Sequence, residues 1–107
     1  MYTIKDKHFA EKKMMELPND IIEEMKIRFD SGFDLANKIL TESLNENEYL
    51  NHERIIRCVI YLSDGIQSFK HNLKVAKTDP RDVMLFAEYE QMNRIRDFNK
   101  TFAENDV

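Results

Sequence analysis

The sequence predicts an all-α protein: a three-helix up-down-up bundle closed by an N-terminal arm or a short fourth helix. Three observations carry that reading. From Asn51 to Thr78 the apolar residues Ile55, Val59, Leu62, Ile66, Phe69, Leu73 and Ala76 follow one another at spacings of 4, 3, 4, 3, 4 and 3, the seam of an amphipathic helix. The 107 residues include only two glycines and two prolines, too few for hairpins, glycine-rich loops or a many-stranded sheet. Each proline stands two residues before an aspartate, Pro18 before Asp20 and Pro80 before Asp82, as prolines do where helices begin. With 42% apolar and 34% charged residues the chain is globular rather than disordered. Its length suits a single domain, 1–107, with one core that needs no disulfide or metal.

Residues 1–17 hold Tyr2, Ile4, Phe9, Met14, Met15 and Leu17 among lysines and glutamates. Thr3 and Asp6 can cap a short helix ending near Leu17, so this stretch is expected to be a packing arm. The first long helix, 18–44, starts with Asn19 or Asp20 as cap and Glu23 in capping-box position. Its stripe is Ile22, Met25, Phe29, Gly32, Ala36 and Ile39. The polar run from Asn45 to Asn51 is a short connection, the kind that makes neighbouring helices antiparallel. The second helix, 51–78, carries the seam, and Ile56, Cys58, Ile60 and Tyr61 extend its apolar surface almost all round, so several neighbours must cover it. The third, 79–103, has Asp79 as cap and Pro80 at the first position. Met84, Leu85, Met92, Ile95, Phe98 and Phe102 share one face of it, before a frayed acidic tail from Glu104 to Val107.

Both glycines fall inside expected helices, where each costs about 1 kcal/mol relative to alanine. A fold-back about residue 48 or 49 opposes Gly32 to Gly65, where the missing side chains would let two backbones touch. The same register brings Phe29 to Phe69, Glu23 to Lys74 and Asp20 to Lys77. The alternative is that Asp30, Ser31 and Gly32 merely kink the first helix.

Phe86 falls off the apolar face of the third helix, with Val83 towards the same side. Something must cover them, either the arm through Tyr2, Ile4 or Phe9, or a partner chain. Val83, Phe86 and Tyr89 are therefore the candidate contact surface.

A net charge of −4 speaks against nucleic acid as the main partner. No run of eighteen apolar residues suggests a membrane span, and the charged N-terminus is unlike a signal peptide. The expected location is the cytoplasm. The single cysteine, Cys58, lies in the most apolar stretch, which fits a small buried hydrophobe in a reducing compartment better than a reactive thiol.

Two isolated glycines cannot form a phosphate-cradling loop or a dinucleotide fingerprint. Glu-x-x-His pairs, as in di-iron bundles, are missing, so no metal and no cofactor is expected. Carboxylates mark solvated faces and helix starts, and no serine is paired with a histidine on a strand-to-helix elbow, so no catalytic residue is assigned. Lys70, Lys74, Lys77 and Arg81, spaced by 4, 3 and 4, form a basic ridge. It is either an anion patch or, more simply, charge that complements a helix C-terminus beside Asp20, Glu23 and Glu24.

His71, Leu73 and Lys74 resemble part of the histidine-phosphotransfer signature, in which an exposed histidine on a helical bundle is followed by an apolar residue and a lysine. The resemblance covers about five residues, and it implies an all-helical signalling domain with His71 as phosphoacceptor. Val75 departs from it, standing where that family has a small residue that admits the receiver domain. The sequence thus leads to a non-catalytic protein-interaction or regulatory module whose partner is another protein or a second copy. The alternatives are a phosphotransfer domain using His71 and a helical enzyme without a compact motif.

Overall fold

Each long helix expected from periodicity is cut short, and the cuts decide the fold. The computed structural model describes residues 17–46 and 52–107. Among them the chain is all-α, with α1 (Asn19–Phe29), α2 (Phe33–Glu46), α3 (Glu53–Tyr61), α4 (Ile66–Thr78) and α5 (Pro80–Glu88). A minimal antiparallel hairpin follows, β1 (Tyr89–Glu90) with β2 (Asn93–Arg94), and then an irregular segment with a 3-10 turn at Ala103–Asn105. The expected arm lies outside the described residues, except that Leu17 packs against the core.

The first cut is at Asp30, whose backbone leaves the helical region at φ 45° and ψ −115° and opens a 3-10 turn over Asp30–Gly32. The second lies between Tyr61 and Ile66. There the Ser63 hydroxyl donates to the Val59 carbonyl at 2.6 Å, Gly65 is extended, and the Ser68 hydroxyl accepts the amides of Asp64 and Gly65 at 2.9 and 3.1 Å. Those bonds satisfy amide groups that a helix start leaves unpaired. The third cut is at Glu88, beyond which Tyr89 is extended, so the helix expected over 79–103 stops after nine residues.

The cuts overturn the antiparallel register. The polar contacts from Asp20, Arg28 and Glu46 to the second half advance together along the chain, although around the first break Phe29 with Phe69 and Gly32 with Ile66 keep the antiparallel order. Asp20 pairs with Arg57 at 2.9 Å, Arg28 donates to the Tyr61 and Ser63 carbonyls at 3.0 and 3.3 Å, and Glu46 pairs with Lys77 at 2.8 Å. The expected Asp20–Lys77 pair therefore does not form, and Glu24 binds Arg28 at 2.6 Å instead of the basic ridge. Straight rods cannot do this. The six residue steps from Glu46 to His52 span at most about 22 Å, whereas an unbroken helix over 53–78 would be about 39 Å long. The break at Leu62–Gly65 is what brings the end of α4 within reach of the end of α2.

Phe29 does meet Phe69, with ring centroids 4.9 Å apart. The glycines do not explain that contact. A Cβ on Gly32 would meet only the Ile66 side chain, at 3.6 Å, and a Cβ on Gly65 would meet nothing within 4 Å. Gly65 serves the break instead of a backbone crossing.

α3 is the centre of the fold, as its all-round apolar surface requires. Every side chain from Ile55 to Ile60 is buried, and α1, α4 and α5 pack on it. α5 turns Val83 and Ala87, one helical turn apart, into the core. Val83 is only 2% exposed, which corrects its assignment to an outer surface. Leu85, Met92 and Ile95, expected inside, are exposed, because the 100° step that placed Met92 and Ile95 does not continue past Glu88. Phe98 and Phe102 are buried as expected, but from an irregular backbone, with the Phe98 ring tilted against Tyr61 at a centroid distance of 5.3 Å and against Phe102 at 5.4 Å.

Candidate functional site

The segment after α5 is held by two arginines of α3. Glu88, with 0% exposure, accepts from Arg54 Nε and Nη2 at 3.1 and 2.6 Å and from the Phe98 amide at 2.8 Å. One turn further on, Arg57 donates from Nε and Nη2 to Asp20 at 2.9 and 3.0 Å and from Nη1 to the Phe98 carbonyl at 3.1 Å. Asp20 also accepts the Phe102 amide at 3.2 Å. The backbone N–H and C=O of Phe98 are thus both tied to buried or half-buried charges, and bidentate pairs of this kind fix orientation as well as energy. Burial alone would raise the Asp20 pKa. The hydrogen bonds from Arg57 and Phe102, with the Arg57 charge, outweigh it and leave the carboxyl below its ordinary value. The hydrogen bonds that Arg54 donates to Glu88 hold its pKa above the ordinary value against the opposing effect of burial.

The hairpin is anchored at its base. The last carbonyls of α5 have no intrahelical donor, and Glu88 O accepts the amides of Ile95 and Arg96 at 2.8 and 3.1 Å. Arg96 Nε donates to the Ala87 carbonyl at 2.6 Å, while its guanidinium lies 4.5 Å from the centroid of the Tyr61 ring. The chain beyond is capped, not frayed: Glu104 accepts the Thr101 amide at 2.9 Å and its own amide donates to the Thr101 hydroxyl at 3.2 Å.

At the hairpin tip Gln91 and Met92 have φ of 51° and 70°. Positive φ at both central residues of a two-residue loop is the turn that asparagine and glycine favour. For ordinary L-residues the left-handed region costs about 1–2 kcal/mol each. This turn nevertheless presents Met92 at 95% exposure, beside Phe86 at 71%. Leu85, Phe86, Tyr89 and Met92 line one apolar groove of about 430 Å³. On the other side of Phe86 a second concavity of about 430 Å³ is lined by Leu62, His71, Asn72, Val75 and Val83.

The exposed parts of Leu85, Phe86, Tyr89 and Met92 amount to about two and a half complete residues. At roughly 150–250 Å² for a large side chain the patch is on the order of 400 Å², the size of the largest apolar patch on a typical monomer, which is often functional. Of the three residues read from sequence as a contact surface, Phe86 and Tyr89 lie in this groove, while Val83 forms the floor of its neighbour. Leu85, Met92 and Ile95 were missed. The only sequence sign of them was an apolar count larger than one helical face can bury.

His71 is exposed, as phosphotransfer requires and as any surface histidine would be. In the basic ridge, Lys70, Lys74 and Arg81 are exposed and Lys77 is paired with Glu46. A polar cavity of about 350 Å³ is lined by His52, Glu53, Arg54, Arg57 and Asn99, but its two arginines are already bound to Glu88 and Asp20. Cys58 is fully buried. Burial, and next the Glu88 charge, push its thiol up to about 12 against the pull of Arg54 and Arg94, the environment of a structural cysteine and not of an activated one. Among the described residues no three His, Cys, Asp or Glu side chains come together as a metal-binding group, and no helix is long and apolar enough to cross a membrane. No family model, no curated protein and no solved structure matches the chain.

Proposed function

We propose that this protein is a non-catalytic interaction or regulatory module of the cytoplasm whose contact surface is the apolar patch of Leu85, Phe86, Tyr89 and Met92. The observation that carries the reading is the Gln91–Met92 turn. A backbone that favours glycine is occupied by two larger residues, and the result is a fully exposed methionine beside an exposed phenylalanine. Unfavourable local conformations persist where the surroundings over-determine them, and they concentrate at functional sites. The Glu88 and Arg96 bonds supply those surroundings. They hold the patch in one shape before any partner arrives, which lowers the entropy lost on binding. A free buried Cys58 suits a reducing compartment.

The test is photo-crosslinking in the producing cell, with a photoreactive phenylalanine analogue at position 86 or 92 and a control at exposed position 23. Specific protein adducts from 86 and 92, absent from 23, are the expected result. No adduct at 86 or 92, or the same adducts from 23, would overturn the reading.

A further inference from the structure

We infer that Met92 is a modification site, oxidised by peroxides to methionine sulfoxide, and that the added oxygen shuts the apolar groove to its partner until a thiol-dependent reductase removes it. The inference rests on the contact surface proposed above and adds its regulation. Of the three methionines among the described residues, Met25 is fully buried, Met84 is half-buried against the core, and Met92 stands almost wholly in water at the hairpin tip. The one cysteine, Cys58, is fully buried. An oxidant in solution therefore meets the Met92 thioether before these other sulfurs, since buried groups react only as fast as the chain opens around them.

The step needs nothing but the peroxide. A sulfur lone pair attacks the terminal peroxide oxygen, the O–O bond breaks as the S–O bond forms, and the proton of the attacked oxygen passes to the departing one. Sulfur gives up two electrons, and the peroxide leaves as an alcohol, or as water from hydrogen peroxide. In the return step two thiols are oxidised to a disulfide and the oxygen leaves as water, restoring the thioether.

Oxidation converts an apolar side chain into a polar one, in a groove otherwise lined by Leu85, Phe86 and Tyr89. Of those three side chains only the Tyr89 hydroxyl can donate a hydrogen bond. A partner that covers the groove would then bury a strong acceptor short of donors, which weakens binding by roughly 5- to 150-fold. The fold itself is spared. Met92 buries almost none of its surface, and the hairpin is held at its base, where the Ile95 and Arg96 amides donate to the Glu88 carbonyl. Oxidation of a core methionine disrupts packing, whereas here it alters contact alone and leaves the tip open to the reductase.

The test uses the full chain with the photoreactive residue at position 86, treated with limiting hydrogen peroxide, mapped by peptide mass spectrometry and irradiated in lysate of the producing cell. Met92 is expected to gain oxygen faster than Met84 and at least about tenfold faster than Met25, with an unchanged Tm. Adducts should fall at least about fivefold and return after methionine sulfoxide reductases of both epimer specificities with dithiothreitol. They should survive the same peroxide in Met92→Leu, whose groove stays apolar. Met25 or Met84 oxidised as fast as Met92, a lowered Tm, or an equal loss of adducts in Met92→Leu would overturn the inference. Unchanged adducts from a chain fully oxidised at Met92 would overturn it and leave the contact surface standing. No adducts before peroxide would be the failure of the contact surface, and of this inference with it.

Discussion

Replacing Glu88 isolates the contribution of the buried latch. Glu88→Gln keeps the side chain's size but removes the charge that Arg54 meets at 2.6 Å, and it turns an amide NH₂ towards a guanidinium that can only donate. Breaking a buried ion pair costs about 3–5 kcal/mol when the orphaned charge has no escape. Here Arg54 has 32% of its side chain exposed and can turn to water, so its share of that penalty is small. The Phe98 amide cannot turn, and if it loses its acceptor it adds about 1–3 kcal/mol. Together these give an expected loss of about 2–4 kcal/mol, or roughly 10–20 °C in Tm for a domain of this size. Urea and thermal unfolding followed by circular dichroism would measure it. A double-mutant cycle with Arg54→Met should give a coupling of at least about 1 kcal/mol, as for residues in one network. A loss below about 1 kcal/mol, or additive single effects, would refute the claim that Glu88 holds the C-terminal segment.

Three other perturbations bear on separate parts of the structure. Asp20 has a folded pKa below its ordinary value of 3.8, so its stabilisation is complete above the unfolded pKa and is lost as pH falls through the folded one. Stability of the wild type should therefore drop below about pH 4, and Asp20→Asn should flatten that slope; an unchanged acid limb would contradict the Arg57–Asp20 assignment. Cys58, raised to about 12 from 9.0, should react with a disulfide reagent at pH 8 only as fast as the chain opens, and stability should fall as pH rises from about 9 towards 12; reaction at the rate of a free thiol would show that the site is open. Gly32→Ala places a methyl in ordinary contact with Ile66 at 3.6 Å and should stabilise the chain by about 0.4–1 kcal/mol by restricting the unfolded state, whereas a backbone crossing there would make it destabilising.

The all-α class, the centrality of α3 and the Phe29–Phe69 contact were legible because they follow from apolar spacing, which records what a segment buries. The chain reversals were not, although Asp64–Gly65 is a turn dipeptide. The 4-3 seam runs through it without a break, because α4 starts in nearly the same phase as α3 ends. The end of α5 left no local mark at all, with neither glycine nor proline between Pro80 and Val107. It is imposed from a distance, by Arg54 on Glu88 and by Ile95 and Arg96 on the last carbonyls. For that reason Phe86 and Tyr89 could be recognised as surplus to the core, while Leu85 and Met92, which complete the groove, were read as part of it.

The most direct test lies at the hairpin tip, where Gln91→Asn with Met92→Gly would give the turn the residues its backbone favours. If the strained turn is kept for the sake of contact, the double variant should be more stable by about 1–2 kcal/mol and should give markedly fewer specific adducts from position 86 in the crosslinking experiment, its measure of association. Unchanged association, or a loss of stability, would contradict the account, because the turn would then serve the fold alone.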